Sequence, residues 1–160
     1  MYQRILLTDD GSPLSRSAIP HAVQFATTAQ AGVLVLRVSH AAGEDRRKLA
    51  SDSWPARVYP NGAAERAEGH VEADPPLTDV TGALTDAGVT AVGALVVKDD
   101  DPGEAIVDVA ARLGCDLIVM STHGLSGIRR VVLGSVADHV VRHARVPVLL
   151  CQSADNAHEA

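Results

Sequence analysis

The stretch RILLTDDGSPLSR, residues Arg4 to Arg16, decides how the rest of the chain is read. Ile5, Leu6 and Leu7 lead through Thr8 into two adjacent acids, Asp9 and Asp10, and then into Gly11-Ser12-Pro13. A short apolar run that ends in acid, glycine and proline is a strand followed by a turn. Beyond the turn, Leu14, Ala18, Ala22 and Ala26 recur at helical spacing, with Ile19 and Val23 widening the stripe. Pro20 sits inside that stripe and marks a kink or a late helix start. A strand feeding a helix through a polar turn is the first half of a βαβ unit. The paired carboxylates have three readings at this stage: a metal pair for phosphoryl chemistry, a contact to a nucleotide sugar, or the start of a turn.

Working outward, the same alternation repeats. Apolar β-like runs occur at Gln3–Thr8, Val33–Ser39, Val92–Val97, Asp116–Met120 and Val146–Cys151. Between them, Leu77–Ala87 reads as a helix ended by Gly88. Asp101 is placed to cap the next helix, with Pro102 at its first position and Glu104 completing a box-like pair. The buried face of that helix is expected at Ile106, Val109, Ala110 and Leu113. A last helix runs from Ser135 to about Ala144, with Val136, Val140, Val141 and Ala144 inward. Strands alternating with helices imply an α/β fold: a doubly wound, five-stranded parallel sheet with helices on both faces, Rossmann-like in outline. Residues 1–152 form a single domain on this reading. The polar stretch 40–76 is an excursion over one end of the sheet, with a short helix around Ala63–Glu68, and 153–160 is a flexible tail.

Composition narrows the function. The chain has 160 residues, 46% of them hydrophobic but only 2% aromatic, so small aliphatics build the core. A formal charge of −6 and so few aromatics argue against a nucleic-acid surface. No apolar run reaches about eighteen residues and no basic-then-apolar leader is visible, so the expectation is a cytoplasmic protein without a membrane span. Cys115 and Cys151 form no C-x-x-C pair and read as reduced, buried thiols.

In an open α/β sheet, ligands bind beyond the carboxyl ends of the strands, where the strand order reverses. The two loops to inspect are therefore Thr8–Pro13 and Ser121–Ser135, STHGLSGIRRVVLGS. The second contains Gly124, Gly127 and Gly134, with His123, Arg129 and Arg130, and it leads directly into a helix. Glycines permit close backbone approach, and a helix amino terminus favours an anion. The loop reads as a phosphate site, or as glycines serving turns with Ser135 as an N-cap and Asp138 as its partner. Neither a G-x-x-x-x-G-K-[ST] loop nor a G-x-G-x-x-G after the first strand is present.

The order ILLTDDGS … LRVSH … IVMSTHGLSGIRRVVLGSVADHVVRHARVPVLLC resembles the universal stress protein family over about Tyr2 to Cys151, least so at 40–76. Gly124, the intervening Leu125–Leu133 and Gly134-Ser135 match the spacing of the family's glycine signature. Ser121 stands where that signature has its first glycine. The resemblance implies an adenine nucleotide, ATP or AMP with Mg2+ as an optional companion, lying across the first and fourth strand ends. It places the nucleoside contact on Asp10, with Thr8 and Asp9 lining the same pocket. Val38 packs on the adenine, with Met120 close by. Ser121 and His123 continue the wall, and Gly124, Gly134, Ser135 and Val136 hold phosphates. It also implies a homodimer joined through the last strand, 146–151. Function is then nucleotide binding in stress response or signalling, with at most slow ATP hydrolysis and no catalytic residue assigned. The alternative is the same fold with a vestigial pocket, acting as a dimeric interaction protein.

Other readings lack their equipment. A receiver domain needs a third aspartate at a strand end, but Asp52 lies in KLASDSWP, and Lys98 has no acyl-phosphate site to serve. Ser126 and His123 lack the G-x-S-x-G elbow of a hydrolase. His139 and His143, four apart on a helix, have no third ligand in sight and read as surface histidines.

Overall fold

The computed structural model describes residues 1–41, 43–50, 52, 54, 58–60, 77–122 and 133–152. β1 (Arg4–Thr8) leads through a 3-10 turn at Ser15–Ala18 into α1 (Ile19–Ala29), and β2 (Gly32–Ser39) follows. A short β3 (Val58–Pro60), α2 (Thr78–Asp86), β4 (Ala91–Lys98), α3 (Pro102–Arg112), β5 (Leu117–Ser121), α4 (Ser135–His143) and β6 (Val148–Cys151) complete the order. Pro20 lies in the first turn of α1, so the awkward proline is a late helix start. Its missing N–H falls where no intrahelical partner exists.

The sheet order is β3-β4-β2-β1-β5-β6. The five expected strands pair in parallel, with Leu7 opposite Val35 on one side of β1 and Val119 on the other. β1 is therefore central, and the order reverses between β1 and β5. The added strand, β3, lies inside the expected excursion and pairs antiparallel with the amino half of β4, Val58 opposite Gly93. At a sheet edge a proline such as Pro60 is tolerated because its missing N–H need not reach a neighbour. The carboxyl half of β4 is covered differently. Glu44 N–H donates to the Val96 carbonyl at 2.8 Å, and Lys98 N–H donates to the Glu44 carbonyl at 3.0 Å. The chain comes so near that a Cβ on Gly43, whose φ is +148°, would stand 2.5 Å from Lys98 N. Only glycine fits there.

Side-chain alternation divides the core between two faces. Ile5, Leu7, Val33, Val35, Leu117 and Val119 pack with α1 and α2. Leu6, Leu34, Leu36, Ile118 and Met120 pack with α3 and α4 on the other face. α3 buries Ile106, Val109, Ala110 and Leu113 as its periodicity predicts. Asp101 caps it by accepting from Glu104 N–H at 3.0 Å. The reciprocal half of the box is not made: Asp101 N–H donates to Asp99 Oδ1 at 2.9 Å, and Glu104 turns to Arg46. In α4 the buried positions are Ala137 and Val140. Val141, expected inward, is 46% exposed because one step around the helix carries it off that stripe. The expected helix at Ala63–Glu68 and the tail at 153–160 lie outside the described residues.

Candidate functional site at the strand-order reversal

The carboxyl ends of β1, β2 and β5 lie side by side, and alternation sorts their residues. Thr8 is in register with Leu36, Val38 with Val97, and Met120 with Leu150. All three partners belong to the α3/α4 face. Thr8, Val38 and Met120 therefore share the face on which the amino end of α4 lies. Val136 packs against the same apolar cluster. Ser121 is in register with Cys151, which packs on the α1/α2 face. A side chain at the departed glycine position thus lies on the face away from Val38 and Met120.

The two acids of the opening turn have different surroundings. Asp9 is 5% exposed, and its N–H donates to the Leu36 carbonyl at 2.9 Å. Its carboxylate pairs with the buried Arg37 guanidinium through Nη2, and Arg37 Nε donates to the Asp9 carbonyl at 3.4 Å. Ser15 Oγ stands 2.6 Å from Asp9 Oδ1 and 2.7 Å from the Ser12 carbonyl, so its one proton has two acceptors in reach. Asp9, expected in the pocket wall, has its carboxylate taken up by Arg37 and Ser15. Asp10 is exposed, and its Oδ1 accepts Ser12 N–H at 2.9 Å. Gly11 at φ 82° turns the chain between them. Neither Arg37 nor Ser15 is legible as a site residue from the sequence, although an arginine inside the apolar run GVLVLRVS signals a buried charge that needs a partner.

At α4 the N-cap is Gly134, at φ −61° and ψ 156°, with no side-chain cap. The reading of Ser135 as N-cap is therefore replaced: Ser135 is the first helical residue and is exposed. Asp138 gives its N–H to the Gly134 carbonyl at 2.9 Å and pairs its carboxylate with Arg142. A Cβ on Gly134 would meet no atom within 4 Å. Nothing in the described fold demands glycine at that position. His123 and Gly124, with Arg129 and Arg130, lie outside the described residues.

Beside the β2 end, a cleft of about 440 Å³ is lined by Asp45, Arg46, Lys98 and Asp99 among others. Arg46 lines it, 2.6 Å from Asp99 and 2.7 Å from Asp108. Hydrogen bonds from Arg46 hold Asp99 below the usual carboxylate range. At Asp108 burial pushes upward, but Arg112 and Arg46 outweigh it and its pKa is lowered. Arg47 lowers Asp45 to about 2. These charges answer one another. Burial pushes Cys115 up to about 12 and Cys151 up to about 11, so neither thiol supplies a nucleophile at neutral pH. The His139 and His143 rings stack at 4.2 Å, and among the described residues no group of three or more potential ligands could hold a metal.

A family model described as the Universal stress protein family matches residues 1–152. Universal stress protein MJ0577 of Methanocaldococcus jannaschii is 28% identical over 156 residues, covering 94% of each chain. A universal stress protein solved in complex with cAMP superposes with a TM-score of 0.65 at 24% identity, over 96% of this chain and 98% of its own. One from Archaeoglobus fulgidus, solved with dAMP, gives a TM-score of 0.62 at 17% identity, over 94% and 98%. These two likenesses establish the fold.

Proposed function

Because the chain belongs to the universal stress protein family, we propose that it binds an adenine nucleotide, ATP or AMP, at the carboxyl ends of β1 and β5. The observation that carries this reading is the placement of Thr8, Val38 and Met120 on the face shared with the side-chain-uncapped amino end of α4. Val38 and Met120 offer an apolar wall for the base, while the Asp10 carboxylate accepts a hydrogen bond from a ribose hydroxyl. The amides of Gly134, Ser135 and Val136 receive phosphate, where the helix dipole favours negative charge. Gly124 joins them on the phosphate side, His123 continues the wall, and Ser121 borders the site from the opposite face. The adenine nucleotides carried by the two fold neighbours support the ligand class.

Binding, rather than turnover, is the activity. Asp9 is neutralised by Arg37, and the buried thiols stay protonated. Hydrolysis of ATP is therefore slow at most, with Mg2+ held chiefly by the phosphates themselves. No helix among the described residues is long and apolar enough to cross a membrane. The protein serves in cytoplasmic stress response or signalling, as a homodimer joined through β6.

Denaturing the freshly purified protein and analysing the supernatant tests the reading. Release of an adenine nucleotide, or its uptake by the ligand-free protein, is the expected result. A protein that carries none and takes up neither ATP nor AMP would instead be an interaction protein with a vestigial pocket.

A further inference from the structure

Asp9, Arg37 and Ser15 form a cluster at the β1 and β2 ends of the proposed pocket. Every polar group of Asp9 is held. Its N–H is bound by Leu36, its carbonyl and one carboxylate oxygen by Arg37, and the other oxygen by Ser15. Ser15 is bound back to Ser12, its N–H lying 3.2 Å from the Ser12 carbonyl and 3.2 Å from Ser12 Oγ. Ser12 in turn gives its N–H to Asp10 Oδ1. The turn is thus a closed loop of hydrogen bonds, anchored at Asp9 and presenting Asp10 outward. Arg37, the other half of the anchor, precedes Val38 on β2. One buried pair therefore joins the two strand ends that carry Asp10 and Val38.

Stability alone is a poor explanation for such a pair, because a well-packed apolar pair of similar volume often serves a fold as well or better. What a guanidinium adds is geometry: a rigid planar fork that grips a carboxylate and a carbonyl together. We propose that Asp9 and Arg37 are positioning residues that fix Asp10 for its hydrogen bond to the ribose of a bound adenine nucleotide. This rests on the reading of the pocket given above.

The test is a double-mutant cycle read by calorimetric titration of AMP. Arg37→Lys keeps the charge and loses the fork, and it is expected to weaken AMP binding about tenfold, the scale of one hydrogen bond. Because the pair acts through Asp10, Arg37→Lys should cost nothing further in an Asp10→Ala background. Wild-type affinity in Arg37→Lys, or the same loss in both backgrounds, would overturn the proposal. If Arg37→Lys fails to fold, the near-isosteric Asp9→Asn takes its place in the same cycle. Hydrogen exchange of the Ser12 amide in the ligand-free protein separates this proposal from the pocket reading. Exchange should accelerate severalfold in Arg37→Lys, and unchanged exchange would overturn the positioning role. A wild-type protein that binds no AMP would overturn the pocket reading and with it the role towards ribose.

Discussion

Gly103 of α3 lies under His139 of α4 so closely that a Cβ built on it would stand 2.8 Å from the His139 Cβ and 2.9 Å from its Cγ. The nearest obstructing atom is the histidine Cβ, which no change of rotamer can move. Gly103→Ala must therefore push the two helices apart. Overpacking of this kind costs about 1–3 kcal/mol, while replacing a helix glycine by alanine returns at most about 1 kcal/mol. The expected outcome is a net loss of about 1 kcal/mol in urea unfolding, with weaker AMP binding because the amino end of α4 moves. A more stable variant would mean that the helices separate freely.

Arg46 ties the segment after β2 to the sheet and to α3 through Asp99 and Asp108. Both carboxyls are held below their ordinary values. Groups with depressed pKa contribute stability that is present above the unfolded value, about 3.9 for aspartate, and lost as pH falls through the folded value. Unfolding free energy should thus fall as pH drops from about 5 through 4 and below. Arg46→Met should remove about 1–3 kcal/mol at neutral pH and flatten that acid-side slope. Fluorescence of Trp54, the only tryptophan, follows the same segment because the ring is buried against the Arg4 guanidinium at 5.6 Å. An Arg46→Met protein with the wild-type pH profile would place the stability elsewhere.

The two ends of the sheet differ. At one, β4 is covered by residues 43–45 and by the short edge strand β3; at the other, the apolar β6 has, among the described residues, a paired neighbour on one side only. An open apolar edge invites another chain. Ile118 N–H donates to the Pro147 carbonyl, so in a parallel ladder the Val148 N–H points away from β5. Val148→Pro removes that outward donor, and sedimentation analysis should show the proposed dimer giving way to monomer. Gly43→Ala should leave the dimer and cost more than 1 kcal/mol, roughly the scale of a strained backbone position. A wild-type protein that sediments as a monomer at micromolar concentration would refute assembly through β6.

The fold was legible where a local pattern carries it. The apolar run before Asp9, the Asp101-Pro102 helix start and the stripe from Ile106 to Leu113 each specify their element without help from distant residues. The edge cover at 43–45 and 58–60 was not legible, because a three-residue strand and a single bridge leave no periodicity to detect. The resemblance puts Asp9 beside Asp10 in the pocket wall, and nothing in TDDGSP shows what holds its carboxylate. Its true partner, Arg37, lies 28 positions away on another strand. Residue type and spacing along one segment cannot reveal which charges the sheet brings together.

Gly134 permits the most direct measurement, since neither its φ of −61° nor any atom of the described residues within 4 Å requires a glycine there. A valine at this position leaves the described fold unobstructed but occupies the space that a phosphate would need. Calorimetric titration of ATP into wild-type and Gly134→Val protein of matched melting temperature tests the central claim. The account predicts clear binding by the wild type and at least about a hundredfold loss in the variant, equivalent to roughly 2.8 kcal/mol. Equal affinity in the two proteins would contradict it.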